Sequence, residues 1–193
     1  MKKSATKIIF AIVLVVGIFT LTGCGKKKAE TKKEETKASS KFKNPKAIKL
    51  ESDKGTVEVT YEDDGSIEES SAGSDQILKN ADQNFRIFFE YGKKDVESQE
   101  KQKENYKKSE SYDVIEDVKF GGYEGFAAVD KKYGTTQVFL YLDKENNVIL
   151  VAKVSPVQSA KAAEAVESAK SAADVLYNLD DVQEILETIT YKK

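Results

Sequence analysis

The sequence predicts an α+β domain over residues 47–193, in which a mostly antiparallel sheet packs against helices as an α/β/α sandwich. Three observations support this fold class: two apolar hairpins, one strand that is apolar on both faces, and a long alanine-rich segment with helical spacing. Alternating apolar and polar residues indicate half-buried strands, whereas apolar residues three and four positions apart indicate amphipathic helices. At 147 residues, this part of the chain is long enough to bury one hydrophobic core.

The first part of the domain is predicted to be a series of strands. Short strands are predicted at Ile48–Leu50 and Thr56–Tyr61, and the second leads into the Asp63–Ser66 turn, whose residue types favour chain reversal. A further strand is predicted to begin at Ile77. The aromatic and nearly continuous apolar segment Phe85–Tyr91 predicts a buried strand.

Two hairpins are predicted in the middle of the domain. Gly121 and Gly122 supply the backbone freedom that a tight turn between two strands needs. Asp143–Asn147 is the loop of the second hairpin, and Val148–Val151 after it is apolar on both faces, which is typical of a central, covered strand. The four strands are predicted at Tyr112–Phe120, Tyr123–Val129, Thr135–Leu142 and Val148–Val154.

Helices are predicted on either side of these hairpins. Lys94–Lys108 is polar, has no Gly or Pro and carries a thin apolar stripe. Ser155 and Pro156 suit the N-cap and first position of a second, longer helix. A short helix near Asp181–Leu186 and a strand at Thr188–Tyr191 are predicted to close the fold. The long helix is predicted from the spacing of Ala162, Val166, Ala169, Ala173 and Leu176.

This order of elements resembles the PsbP/Mog1-like class of small sandwich domains. The matching pieces are the Gly121-Gly122 hairpin with Tyr123-Glu124-Gly125, the two strands that follow, the long alanine-rich helix and the closing Val182–Leu186 segment. The resemblance covers most of residues 48–193 and is one of pattern. It implies an α/β/α sandwich and a binding or assembly role more often than catalysis, and it supplies no functional residues.

The N-terminus has the layout of a secretory signal. Three lysines among residues 1–7 precede a 14-residue apolar run, which is shorter than the roughly 20 residues of a membrane-spanning helix. The run ends in Leu21-Thr22-Gly23-Cys24, which resembles a bacterial lipoprotein lipobox at all four positions. The resemblance implies that Cys24 receives a diacylglyceryl group, with acyl chains such as palmitate, and that signal peptidase II cuts between Gly23 and Cys24. The alternative is a chance Cys after an ordinary signal peptide or an uncleaved anchor.

Residues 1–23 are therefore predicted to be a signal peptide, and residues 24–46 a lipidated cysteine and flexible tether. Gly25–Lys46 has nine Lys, three Glu and almost no apolar residues, and its net charge of +6 favours disorder. A flexible chain of this length spans roughly 26 Å. Lys26, Lys27 and Lys28 lie next to the predicted lipid. One interpretation is that each lysine contributes about 1 kcal/mol to the free energy of binding to anionic lipid. The alternative is that the three lysines belong to a solvated spacer.

Charge and composition limit the partners and chemistry of the domain. Residues 47–193 carry 19 basic and 30 acidic residues, and this net charge of −11 argues against a nucleic-acid partner. The absence of His and the single Cys exclude Ser-His-Asp and Cys-His catalysis, His-based zinc sites and an intramolecular disulfide. We predict no catalytic set, metal or cofactor. The acidic Asp143–Asn147 segment is explained as a hairpin loop, and Glu116 and Asp117 as charges on opposite faces of a strand.

The aromatic residues of the strands are the remaining candidates for a binding surface. Phe88 and Phe89 are adjacent, so a single strand sends their rings to opposite faces. Either both faces are covered, or one ring is exposed and, with Tyr91, marks a ligand or partner site. The alternative is that the core of the sheet holds all three rings.

Together these features favour a membrane-anchored, extracytoplasmic lipoprotein of the cell envelope with a non-catalytic ligand-binding or protein-interaction domain. Its partners would be the membrane, through the lipid on Cys24, and an unknown envelope protein or small ligand. The alternatives are an envelope-assembly or stress scaffolding factor and a carboxylate-dependent glycan hydrolase. The lysine-rich signal and tether look like those of Gram-positive lipoproteins, which would place the domain between membrane and wall.

Overall fold

A computed structural model describes residues 41–80, 85–156 and 180–193. Within these ranges, strands account for 57% and helices for 15% of the residues. The elements in chain order are β1 (Pro45–Ser52), β2 (Gly55–Glu62), β3 (Ile67–Ala72), β4 (Asp75–Asn80), β5 (Phe85–Tyr91), α1 (Val96–Lys107), β6 (Tyr112–Phe120), β7 (Tyr123–Asp130), β8 (Thr136–Asp143), β9 (Val148–Pro156), α2 (Asp180–Leu186) and β10 (Thr190–Lys192).

These strands form two antiparallel sheets. The larger sheet has seven strands in the order β3-β4-β5-β9-β8-β7-β6, and the smaller has three in the order β1-β2-β10. β9 lies inside the larger sheet, between β5 and β8. Val148 and Leu150 of β9 belong to the core on one face, and Ile149 and Val151 to the core on the other. The prediction of a central strand covered on both sides is confirmed.

The predicted α+β sandwich is wrong, because the structure is mostly β-sheet and its second layer is another sheet. The smaller sheet depends on the pairing of β2 with β10 from the far end of the chain, which local sequence patterns do not reveal. β3 was not predicted because five of its six residues are exposed, so it lacks an apolar alternation.

The α/β/α arrangement implied by the resemblance to PsbP/Mog1-like domains does not hold either. The long helix predicted from Ala162 to Leu176 lies outside the described residues.

The smaller sheet packs against one face of the larger sheet and forms the main core. Val57 and Val59 of β2 share this core with Ile87 and Phe89 of β5, and all four side chains are fully buried. α2 adds three apolar side chains to the same core. Burying one side chain of this size stabilises a fold by about 1.5–3 kcal/mol, so this layer dominates the energetics.

α1 covers part of the other face of the larger sheet. Beneath it, Phe126 and Phe139 stack with their ring centroids 4.4 Å apart. Val96 and Tyr106 of the helix pack against this smaller cluster. The prediction of a polar helix with a thin apolar stripe is therefore confirmed, and that stripe is what holds the helix on the sheet.

A β-bulge interrupts β6 near its middle and changes the role predicted for two acidic residues. Asp117 has a φ of 59°, so the regular alternation of side chains between the two faces fails here. Glu116 instead pairs with two lysines of α1, at 3.0 Å from Lys107 and 3.3 Å from Lys103. Hydrogen bonds from these ammonium groups hold the pKa of Glu116 below its usual value. Glu116 therefore helps to fix α1 on the sheet.

The predicted start of the long helix is wrong, because Ser155 and Pro156 are the last two residues of β9, where they pair with Arg86 and Phe85 of β5. The remaining predicted elements within the described ranges are confirmed. Both hairpins, the aromatic strand β5, the short C-terminal helix and the closing strand are present, with ends within two residues of those predicted. The first strand begins at Pro45, slightly before the predicted boundary at Ala47.

Gly125 is a position where the larger sheet has no room for a side chain. A Cβ atom there would lie 1.7 Å from the backbone oxygen of Phe139 on the neighbouring strand. We expect Gly125→Ala to lower the free energy of unfolding by more than about 3 kcal/mol, the upper range for overpacking, in urea denaturation. Gly122→Ala is the control, because its Cβ would meet nothing within 4 Å and the cost is only the strain of a positive φ. Equal losses for the two variants would contradict the close approach of β7 and β8.

Candidate functional site

The predicted aromatic surface is divided between the two faces of the larger sheet. Phe89 and Tyr91 point into the core between the sheets and are 0% and 6% exposed. Phe88 is half-buried on the opposite face, where the Lys153 Nζ lies 5.8 Å from the centroid of its ring. Lys153 also pairs with the carboxylate of Glu90. The structure therefore does not bring Phe88, Phe89 and Tyr91 together as one exposed surface.

The residues of the predicted anchor lie outside the described part of the chain. They are Gly23 and Cys24 at the predicted cleavage site and the membrane-proximal Lys26, Lys27 and Lys28. Within the residues that the structure covers, no helix is long and apolar enough to cross a membrane.

The chain enters the domain through a fixed junction at the end of β2. The Glu62 carboxylate accepts hydrogen bonds from the backbone N–H groups of Lys43, at 2.6 Å, and Asn44, at 2.7 Å. The Asn44 side chain donates to the carbonyl of Asp63 at 2.6 Å, and the Asp63 N–H donates back to the Asn44 carbonyl at 2.8 Å. Bonds to an ionised acceptor are among the stronger hydrogen bonds, so the direction in which the chain arrives is well defined.

An open cleft of about 630 Å³ lies beside this junction. Its walls mix ammonium groups, carboxylates and a few apolar side chains, whereas most small-molecule pockets are lined mainly by apolar atoms. Both carboxylate oxygens of Glu62 are already used by the junction. The mixed charge suits a polar ligand better than an apolar one. The lining includes Lys41, Lys43, Asp64, Ile67, Asn80 and Glu184.

A second cluster near the junction joins the smaller sheet to β3. The Tyr61 hydroxyl donates to the Glu69 carboxylate, and the Lys46 Nζ lies 3.3 Å from the same carboxylate. Burial and the Glu69 hydrogen bond raise the pKa of Tyr61 to about 12. A phenol with this pKa stays protonated at neutral pH, so Tyr61 serves as a hydrogen-bond donor and is unsuited to be a general base.

The opposite ends of the strands carry a set of loops that are tied to one another. We call this set the loop edge: the Asp53-Lys54 turn, the Lys144–Asn147 loop, Tyr123 and the C-terminal Tyr191–Lys193. The Tyr191 hydroxyl donates to the Lys54 carbonyl at 2.5 Å, and the Lys54 Nζ donates to the Asn147 carbonyl at 3.1 Å. The Tyr191 N–H donates to the Tyr123 hydroxyl oxygen at 3.0 Å. Segments distant in sequence thus form one connected surface.

The hairpin loop within this edge is closed by its own first residue. The Asp143 carboxylate accepts hydrogen bonds from the backbone N–H of Asn146, at 3.0 Å, and from its side-chain amide, at 2.7 Å. These bonds lower the pKa of Asp143. The Lys193 Nζ lies 3.8 Å from the same carboxylate. This agrees with the interpretation of Asp143–Asn147 as a hairpin loop.

The junction and the loop edge lie at opposite ends of β1 and β2. β1 begins next to the junction at Pro45 and ends at Ser52, beside the turn of the loop edge. Eight residues of strand at about 3.3 Å each separate the two ends by roughly 26 Å. We call the end that carries the junction and the cleft the entry edge.

Sequence reasoning did not single out Lys54, Tyr123 or Tyr191 as site residues, because one turn and two strands that are distant in sequence bring them together. One usable signal was Gly55, whose φ is 131° and where a Cβ would lie 2.4 Å from the Lys192 backbone oxygen. Such a glycine indicates a close backbone approach, although not by which segment.

In the part of the chain that the structure describes, no group of three or more His, Cys, Asp or Glu side chains is placed to hold a metal ion. No protein-family model, curated protein or solved structure matches the chain.

We expect Tyr61 to make the stability of the domain sensitive to alkaline pH. Its pKa is about 12 in the folded state against 10.0 ordinarily, so the neutral phenol stabilises the fold fully below pH 10. That contribution is lost as the pH rises from about 10 to about 12. In urea unfolding between these pH values, the free energy of unfolding should decrease less with rising pH for Tyr61→Phe than for the unmodified protein. The exposed Tyr133→Phe is the matched control, and an identical pH profile for both variants would refute the Tyr61–Glu69 interaction.

Proposed function

We propose that the chain is a lipid-anchored protein of the extracytoplasmic face of the cell membrane, and that its domain is a non-catalytic module that binds another envelope protein. The observation that carries the anchor is the Leu21-Thr22-Gly23-Cys24 sequence after a basic and then apolar segment. The sole Cys of the chain stands at the one position where a lipid thioether is required. Two or more acyl chains give stable anchoring, where a single chain is marginal.

The separation of the two edges supports a binding role for the loop edge. The tether leads into Lys41–Asn44, so the entry edge is the end of the domain to which the proposed tether connects. The loop edge lies roughly 26 Å farther along the strands. Binding residues concentrate on loops that a rigid scaffold positions, and the loop edge has this arrangement.

The character of the loop edge favours a protein partner over a small apolar ligand. Its outermost residues, Lys144–Asn147, are charged or polar and exposed. The hydrogen bonds of Tyr191 and Lys54 hold its backbone in place, which lowers the entropy cost of association. The phenylalanine rings that would line an apolar pocket, such as Phe89 and Phe126, are instead fully buried in the two cores.

A small polar ligand in the cleft of the entry edge is the second candidate. Its volume of about 630 Å³ falls within the usual range for ligand sites. An envelope-assembly or stress role would use the loop edge in the same way as any protein partner. A carboxylate-dependent hydrolase is a third candidate, and one acid considered for it, Glu116, is engaged in ion pairs with Lys103 and Lys107 of α1.

The lipid anchor is tested by labelling cells with a palmitate analogue. Cys24→Ala should abolish the label and leave unprocessed precursor, because the acceptor thiol is gone. Thr22→Ser is the matched control, since it keeps a small residue in the lipobox and should be labelled and processed normally. Label that survives Cys24→Ala would overturn the anchor.

The binding role of the loop edge is tested by site-specific photo-crosslinking in intact cells. A photoreactive amino acid at Asn146, on the loop edge, should give a discrete protein adduct. The same residue at Asp64, an exposed position on the entry edge, is the matched control and should give none. Adducts only at Asp64, or no adduct together with an extra small mass on the purified protein in native mass spectrometry, would favour the cleft and contradict the loop edge.

A further inference from the structure

We infer that the loop between β7 and β8, Lys131–Gly134, is a membrane-contact site that rests on an anionic lipid surface when the domain is anchored. The inference rests on the proposed anchor and adds a second point at which the protein meets the membrane. Its recognition chemistry is a tyrosine ring at the level of the headgroups and lysine ammonium groups against anionic phosphates.

The first observation is the exposure of the loop. The Tyr133 side chain is 63% exposed. Among the residues that the structure describes, it is the one large hydrophobic side chain that is exposed. Lys131 and Lys132 beside it are also exposed, and the Lys132 Nζ lies 4.8 Å from the centroid of the Tyr133 ring. Tyrosine is enriched at membrane–water interfaces, and lysine is attracted to anionic lipid. The loop combines both residue types at its tip.

The second observation is that the loop is held in one conformation. The Asp130 carboxylate accepts hydrogen bonds from the backbone N–H groups of Lys132 and Tyr133, each at 2.8 Å. The Gly134 N–H donates to the Asp130 carbonyl at 2.8 Å, and Gly134 has the positive φ of 66° that this turn requires. The Tyr133 ring is therefore presented to solvent by a rigid turn, and little ordering is needed for it to meet a surface.

The third observation is where the loop leaves the sheet. Thr136, just after the loop, pairs with Val154 of β9, which pairs with Ile87 of β5, which in turn pairs with Leu78 of β4. Leu78 lies two residues before Asn80, which lines the cleft of the entry edge. The loop therefore emerges at the same end of the strands as the point where the tether enters the domain.

The charge distribution of the domain favours an orientation in which this loop faces an anionic membrane. Residues 47–193 carry a net charge of −11, so an anionic membrane repels most orientations of the domain. Lys131 is partly neutralised by Asp113 at 3.2 Å, so Lys132 and Tyr133 carry the larger share of the contact. A tether of this length holds the domain at an effective concentration on the order of millimolar, at which a weak contact is populated.

The chain has no Trp, so Tyr133→Trp introduces a single fluorescent reporter at the loop tip. The chain from Cys24 onward can be coupled through its sole thiol to a maleimide lipid in vesicles with brominated acyl chains. In vesicles rich in phosphatidylglycerol, we expect the Trp emission to shift to the blue and lose intensity by quenching. Both effects should shrink in phosphatidylcholine vesicles, at high salt, and when Lys132→Glu is added.

Asn146→Trp at the loop edge is the matched control and should be neither shifted nor quenched. Equal quenching at the two positions, no quenching at position 133, or quenching that is the same on neutral vesicles would each overturn the inference. The chemical coupling does not depend on processing in the cell. A failure of lipid labelling in cells with quenching here would therefore reject the proposed anchor alone, and the reverse result would reject the loop contact alone.

Discussion

The packing of β2 against the larger sheet is the contact on which most of the structure depends. β2 is the middle strand of the smaller sheet, and its inward side chains, Val57, Val59 and Tyr61, are at most 1% exposed. Two residues before β10 begins, the Thr188 hydroxyl accepts a hydrogen bond from the backbone N–H of Thr60 at 2.8 Å and so extends the contact of β2 with the C-terminal segment. One end of β2 holds the entering chain and the other holds the C-terminus. If this strand were displaced, the entry edge would lose its contact with the entering chain and the loop edge would lose its contact with the C-terminus.

Tyrosine hydroxyl groups join the layers that this packing brings together. Tyr61 links β2 to β3 through Glu69, and Tyr141 links β8 to α1 through Glu100 at 2.5 Å. Tyr191 links the C-terminal strand to the turn after β1. In each case the ring is at least partly buried while the hydroxyl reaches a polar partner. Burial and the Glu100 carboxylate hold the pKa of Tyr141 well above its usual range, so the phenol stays a donor. These three tyrosines therefore have a structural role.

The antiparallel arrangement also gives the domain two unlike ends. The antiparallel strands of the two sheets place the chain entry, the charged cleft and the Lys131–Gly134 loop at one end, and the cross-tied loops at the other. In the anchored protein that we propose, the end that carries the chain entry is the end connected to the tether. The proposed partner surface and the proposed membrane contact are two consequences of the same topology.

The sequence alone was sufficient to predict those secondary-structure elements that a few neighbouring residues specify. Gly121 and Gly122 set one hairpin, and the apolar run at Val148–Val151 identified the central strand, because turn chemistry and residue period act over a few positions. The lipobox at Cys24 is also a local pattern, but it stays a prediction because it lies outside the described residues. The second sheet, the faces taken by Phe88 and Phe89 and the bulge at Asp117 were decided only by the tertiary structure. Each depends on pairing between distant strands, and the free energy that selects such pairing comes from apolar area buried between layers rather than from any local pattern.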